Sequence, residues 1–412
     1  MPGFRRNGRR PRLLVLNQYY SPGVEATAHL LAELVTALGE EYDVRVVTGK
    51  LHSHRDVPAH ETRGNVEIVR VRSTSYDRTQ LSRRAANYVT YLVASLQEGL
   101  RGPRPDVVLC MTDPPVVADV ALLVARLRRA PLVVISQDVF PEIAVQLGRL
   151  TNPVAISVLR QLVRLYLRRA ERVVAIGETM RERLVAKGAP PECVTIIPNW
   201  VDTRKLRPES KDNRWARAQG LDDRFVVMHS GNVGHAQDLD SLVRAATFLR
   251  DLDDLRIVVV GRGARHAELV ALAERLEVSD AVTFLPYQPR SSLSQSLSAA
   301  DVHVVGLARG LAGYIVPSRF YGVAAVGRPT IVAADDETET ARVVREVGNG
   351  VVVPPGRPEL LAVAIRRAHD GELDLAEMGR RGRDWVVATA DRSVAVARYR
   401  ELLGEVVANG RG

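Results

Sequence analysis

GYIVPSRFYGVAAVGRPTIVA, residues 313–333, sets Pro317, Ser318 and Arg319 ahead of a short apolar segment. That segment closes at Gly327, Arg328 and Pro329 and gives way to the β-branched run Thr330, Ile331, Val332. Pro and Ser open helices and Gly then Pro close them, so the stretch reads as loop, helix of about two turns, buried strand. Ser318 as N-cap leaves the first N–H groups of the helix free, the helix dipole favours an anion, and Arg319 adds a fork-shaped charge suited to phosphate. The expectation is a diphosphate seat at this helix start. An ordinary capped helix with a solvated arginine is the plainer reading.

The same grammar runs outward in both directions. Before Trp200, the strand-like runs are RLLVLN (12–17), YDVRVVTG (42–49), VEIVRV (66–71), DVVLCM (106–111), PLVVISQD (131–138), RVVAIG (172–177) and CVTIIPN (193–199), with helical segments at 25–39, 116–129 and 153–171. Apolar strands alternating with helices predict a mostly parallel sheet covered on both faces. After the polar stretch VDTRKLRPESKDNR the alternation restarts with RFVVMHSG (224–231), LRIVVVGRG (255–263), AVTFLPY (281–287), DVHVVGL (301–307), PTIVA (329–333) and GVVVPPG (350–356). The predicted architecture is α/β, two Rossmann-like doubly wound domains facing across a cleft. The first spans 1–200 and the second 201–391, and the helix-like stretch in 392–412 packs on one or the other. Ligands of such sheets bind at the carboxyl ends of strands.

With 412 residues, 46% hydrophobic and 25% charged, the chain is globular and too long for one ordinary core. Cys110 and Cys193 lie in apolar runs without the spacing of a metal site or a disulfide framework, which fits core residues in a reducing, cytoplasmic setting. The basic N-terminus has only a short apolar run, and no stretch reaches the ~18 apolar residues of a membrane span. Of the +9 formal charge, all falls in residues 1–200, with 28 Lys and Arg against 19 Asp and Glu; residues 201–412 balance at 29 each. This asymmetry predicts an anionic partner for the first domain. Aromatics are 5% and do not interleave with basic runs, so nucleic acid is not expected.

Residues able to do chemistry follow several of the strand ends. NQYYSPGVEATAH puts Ser21, Pro22 and Gly23 at a turn that opens a helix near Val24 or Glu25, either an anion site or a plain turn. HSGNVGHAQDLDSL offers Gly231 and Gly234, which let backbone approach phosphate closely, with Asn232, His235 and Gln237 as donors. VVVGRGARHAEL adds Gly261, Arg262 and Gly263, a poor dinucleotide fingerprint because His266 replaces the third glycine. In SQDVFPEIAVQLG, Asp138 and Glu142 follow a strand, where a carboxylate accepts a bond from a substrate hydroxyl, acts as a base, or merely caps a helix. Asp238 with Asp240 and Asp251 with Asp253 mimic a D-x-D metal pair but have no further acids, and no metal site is expected.

These motifs, in this order, resemble the retaining nucleotide-sugar glycosyltransferases of the GT-B fold, family 4, in the bacterial polysaccharide-assembly branch (lipopolysaccharide and exopolysaccharide). The stretches that carry the resemblance are NQYYSPGVEATAHLLAEL, SQDVFPEIAVQLG, IIPNWVD, HSGNVGHAQDLDSLVRA, VVVGRGARHAEL, VTFLPYQP and VPSRFYGVAAVGRP, spread over nearly the whole chain. The resemblance implies a peripheral or cytoplasmic enzyme that needs no cofactor or metal. Its second domain would bind a nucleoside diphosphate sugar, UDP-linked in preference to GDP-linked, and its first domain a polyprenyl-diphosphate-linked or saccharide acceptor. By motif match Gly231, Asn232, Gly234, Gln237, Gly261, Arg262, Gly263, Pro317, Ser318 and Arg319 surround the diphosphate, Tyr287 lies by the base, and Asp138 faces the reacting sugar. The family's pair of glutamates around this helix is replaced by Tyr314 and Gly322, so Glu337 or Glu339 is expected to take over ribose binding. A nucleotide-sugar 2-epimerase and a non-catalytic nucleotide-sugar sensor are the alternatives; incubation with donors, with and without lipid-linked acceptor, separates the three. Finally, Arg160, Arg164 and Arg168 recur every four residues in 153–171, either a solvated stripe or a contact with the anionic inner face of the plasma membrane.

Overall fold

The computed structural model describes residues 9–23, 26–50, 57–72, 74 and 81–410, with the side chains of 26 and 81–86 not described. The predicted helix opening near Val24 and Glu25 lies outside the described residues. The chain divides into two compact units, Met1–Ile197 joined by Val396–Gly412, and Pro198–Ala395.

Unit 1 runs β1 (Arg12–Leu16), α1 (Ala26–Leu38), β2 (Asp43–Gly49), β3 (His60–Arg63), β4 (Val66–Val71), α2 (Leu81–Gly99) and β5 (Val107–Met111). It continues with α3 (Val117–Arg128), β6 (Leu132–Ser136), α4 (Glu142–Gln146), α5 (Pro153–Arg169), β7 (Arg172–Ala175), α6 (Glu178–Ala186) and β8 (Val194–Ile196). The strands form one sheet in the order β3-β4-β2-β1-β5-β6-β7-β8, parallel except where β3 runs against β4. β5 and β6 are buried at every position, as a sheet covered on both faces requires. Helix α5 starts where the sequence says it should: Asn152 caps it, accepting from Ala155 N at 3.0 Å, and Pro153 stands first in the helix.

Unit 2 runs α7 (Arg214–Gln219), β9 (Phe225–Ser230), α8 (Leu239–Ala245), β10 (Leu255–Val260), α9 (His266–Arg275), β11 (Val282–Leu285), α10 (Leu293–Ser298) and β12 (Val302–Gly306). Then come α11 (Arg319–Ala325), β13 (Thr330–Ala333), α12 (Glu339–Val347), β14 (Gly350–Val353), α13 (Pro358–His369) and α14 (Leu375–Thr389). Its sheet is parallel throughout, in the order β11-β10-β9-β12-β13-β14. The predicted doubly wound α/β class is therefore found in both units.

The last helix, α15 (Arg392–Asn409), enters unit 1 from Val396 onward, where Arg400 donates to Ala37 O at 2.9 Å and pairs with Glu40 and Glu41. In unit 1, β3, α2 and α6 were not anticipated: β3 is the polar edge segment HETR, and α2 follows a stretch of Ser, Thr and Arg whose several cap candidates mark no single start. Cys110 is buried as expected, but Cys193 is only half-buried, because it stands at the lip of β8 rather than inside the sheet.

Candidate active site

Strand order reverses once in unit 2, between β9 and β12, and the loops leaving these two neighbours diverge around the spot where doubly wound sheets hold ligands. The loop after β9 carries Gly231, Asn232, Gly234 and Gln237; the loop after β12 leads to Pro317, Ser318 and Arg319; the loop after β10 brings Gly261, Arg262 and Gly263.

These loops touch backbone to backbone, which is why glycine recurs in them. Val233 N donates to Arg262 O at 3.0 Å and Arg265 N to Val233 O at 3.1 Å. A Cβ on Gly261 would lie 1.9 Å from Gly231 O, and one on Gly263 would lie 2.2 Å from Val233 O. Both distances are impossible for a side chain. Gln237, expected to reach a ligand, instead uses its Oε1 to accept from Gly234 N at 3.0 Å, closing its own loop. Asn232 and Arg262 stay exposed, and Tyr287 Oη donates to Arg262 O at 3.2 Å.

At the helix start the structure corrects two expectations. Ser318 sits at the N-cap of α11 but in helical conformation, and its side chain makes no cap hydrogen bond. The first turn is instead tightened by Phe320 N donating to Pro317 O at 3.2 Å. Arg319 is not a solvated helix end either. It folds inward beside Gly231, with Nη1 3.2 and 3.3 Å from the two ring nitrogens of His229.

His229, the penultimate residue of β9, is wholly buried. Burial first, and the Arg319 charge second, hold it well below the usual histidine range, so its ring is neutral and one nitrogen accepts from the guanidinium. Burial holds Arg319 down to about 10, which leaves it cationic at neutral pH. Among the described residues it has no carboxylate partner. An inward-turned cation held by a neutral ring thus stands at the switch point of the sheet, a place where an anionic group can pair with it.

Tyr314 is half-buried in the loop before α11. Glu339, the first residue of α12, is buried and paired with Arg342 at 2.6 Å, while Glu337 is exposed.

In unit 1 the order reverses between β1 and β5. After β1, Gly23 N donates to Tyr20 O at 3.0 Å, so its N–H closes a turn. After β5 comes Asp113, accepting from Thr27 Oγ1 at 3.1 Å. Asp138 follows β6, and burial together with the Asp113 charge pushes its carboxyl up to about 7. Asp113 was missed in the sequence; the signal available was its place directly after a buried strand, in TDPP. Glu142 is taken by Arg160 at 3.1 Å and by Lys187. Asp240 pairs with Arg265 at 2.6 Å and Asp251 with Arg366 at 2.7 Å, and among the described residues no three potential ligands group together.

Residues 22–200 match the family model described as glycosyl transferase 4-like domain, and residues 211–385 match glycosyl transferases group 1. The chain is a GT-B glycosyltransferase of the family 4 type.

WbjE of Pseudomonas aeruginosa, called a probable glycosyltransferase, is 26% identical over 89% of this glycosyltransferase and 91% of its own length. The Escherichia coli protein WcaI, assigned as a glycosyl transferase of colanic acid biosynthesis, is 29% identical over 49% of this chain and 50% of its own. Among solved structures, Anabaena HepE in complex with UDP-glucose superimposes with a TM-score of 0.74 at 16% identity, covering 96% of this chain and 99% of that one. That likeness is one of fold. Both are built on two parallel-sheet α/β domains.

Proposed function

We propose that the enzyme moves a hexosyl unit, with retention, from a nucleoside diphosphate sugar to a lipid-linked saccharide of polysaccharide assembly at the inner face of the plasma membrane. The observation that carries the reading is Arg319, a cation turned into unit 2 against neutral His229 and Gly231 with no acid paired to it among the described residues. A diphosphate supplies the missing charge. HepE, which shares the fold, was solved with UDP-glucose, and this favours a UDP-linked donor.

Catalysis in this reading is electrostatic. Arg319 and Arg262 neutralise the leaving diphosphate, an effect worth roughly 3–4 kcal/mol per well-placed donor, and the leaving phosphate accepts the proton of the attacking hydroxyl on the same face of the sugar. The chain's own cations do this work, so transfer is expected to persist in EDTA. Unit 1 takes the acceptor, with Asp138 accepting from a sugar hydroxyl.

Arg319→Ala tests the seat. Loss of a charged hydrogen bond of about 1.5–3 kcal/mol should weaken UDP binding by roughly tenfold to a hundredfold in calorimetric titration. Unchanged affinity for both UDP and GDP removes the assignment. A screen of donors with lipid-linked acceptor then reads transfer directly, and an isomerised donor without transfer would identify an epimerase instead.

A further inference from the structure

Unit 1 wears an unusual share of the exposed apolar surface on one helical layer. Among the described residues eleven large hydrophobic side chains stand exposed, and seven of them lie on three helices: Val89 and Val93 on α2, Leu123 and Leu127 on α3, Val154, Val158 and Leu165 on α5. α2 packs on α3 and α3 on α5. Within each helix the spacing is four residues, extended on α5 by a further seven, so each aliphatic line follows one side of its helix and points away from the sheet.

Charge on this layer has one sign. The three helices contain two acids, Glu98 and Asp119, and α5 has none. Glu98 is buried and paired with Arg45 and Arg101, and both carboxylate oxygens of Asp119 are buried. Arg126, Arg164, Arg168 and Arg169 are exposed. Arg160, the first of the predicted stripe, is drawn aside to Glu142.

Short aliphatics fronted by guanidinium groups, with no exposed carboxylate among them, match the boundary of an anionic bilayer. The aliphatics enter the headgroup layer and the arginines reach lipid phosphate. A second copy of the same face would set arginine against arginine, which argues against self-association. We propose that the α2–α3–α5 face of unit 1 is the surface by which the enzyme docks on anionic lipid. α3 and α5 follow the strand ends that lead to Asp113 and Asp138, so a docked layer borders the end of unit 1 assigned to the acceptor. The docking face gives the membrane reading above its contact surface; it does not depend on the nucleotide chemistry.

Co-sedimentation of the full chain with vesicles of phosphatidylglycerol and phosphatidylcholine, against phosphatidylcholine alone, tests it. The wild type should pellet only with the anionic vesicles and release as salt rises. Arg164→Glu with Arg168→Glu should lower partitioning by about tenfold or more. Val154→Ser, Val158→Ser and Leu165→Ser together should lower it comparably even at low salt. Both variants should keep the wild-type circular dichroism and UDP affinity, because every altered side chain is exposed. Three results overturn the proposal: wild type indifferent to anionic vesicles at low salt, a serine variant that docks as well as wild type, or a solution dimer that the serine variant abolishes. Docking by a wild type that binds neither UDP nor GDP would uphold the face and remove the nucleotide-sugar reading instead.

Discussion

His229 and Arg319 form a pair in which only one partner carries charge. Because burial keeps the imidazole neutral, it accepts from the guanidinium without repelling it. His229→Gln retains an acceptor near the same place and should bind UDP nearly as wild type, whereas His229→Ala should lose about tenfold or more, the scale of one hydrogen bond to a charged group. A glutamine variant as weak as alanine would show that the ring acts by packing alone. Asp138 supplies a second test. Its carboxyl titrates near 7, and if the ionised form accepts the acceptor hydroxyl, kcat/KM should rise as pH climbs through that value and become flat in Asp138→Asn. Removing the like charge with Asp113→Asn lowers the Asp138 pKa, so the rise should move to lower pH. A profile that does not move would mean that burial alone sets the group. The sequence made Arg319 legible as a charge at a helix start. Its inward turn was not, because that depends on Ser318 adopting helical geometry and on a histidine that reads as ordinary strand interior.

At the scale of elements, the candidate site is a stack of loops held apart by nothing larger than a glycine hydrogen. Gly261 has φ +142° and faces Gly231 O, so a methyl group there is excluded twice, by backbone conformation and by contact. Gly261→Ala should destabilise unit 2 by about 1–3 kcal/mol or more from strain alone, seen as a lower thermal midpoint, and should cost UDP affinity by prising the loop after β10 off the loop after β9. An alanine variant with wild-type melting and binding would mean that the two loops are not locked together. The strands of both sheets were readable because a sheet buried on both faces needs unbroken β-branched runs, which little else produces. A helix start with an Asn cap was readable too: Asn152 accepts from Ala155 N at 3.0 Å to open α5. β3 escaped because an edge strand pairs on one side only and tolerates an all-polar sequence. Asp113 escaped because its importance comes from strand order, which the local sequence does not encode.

For the whole molecule, chain order and structural order part company at the C-terminus. α15 follows all of unit 2 in sequence, yet from Val396 onward it belongs to unit 1, where Tyr399, Leu403 and Val406 are fully buried. Leu402 and Val407 are nearly so. Burying an aliphatic or aromatic side chain contributes roughly 1.5–3 kcal/mol, so these five together contribute on the order of 10 kcal/mol, comparable to the entire stability of an ordinary domain. Ending the chain after Ala395 should therefore unfold unit 1, although every strand of that unit is still present. Unit 2 keeps its sheet, the Gly231 loop and the His229–Arg319 pair, and should still bind UDP. The truncated enzyme is expected to show one thermal transition in place of two, to retain calorimetric UDP binding, and to lose transfer and vesicle docking together. Retention of both transitions would show that β1 to β8 with their own helices suffice. Loss of UDP binding as well would show that unit 2 does not stand without its neighbour.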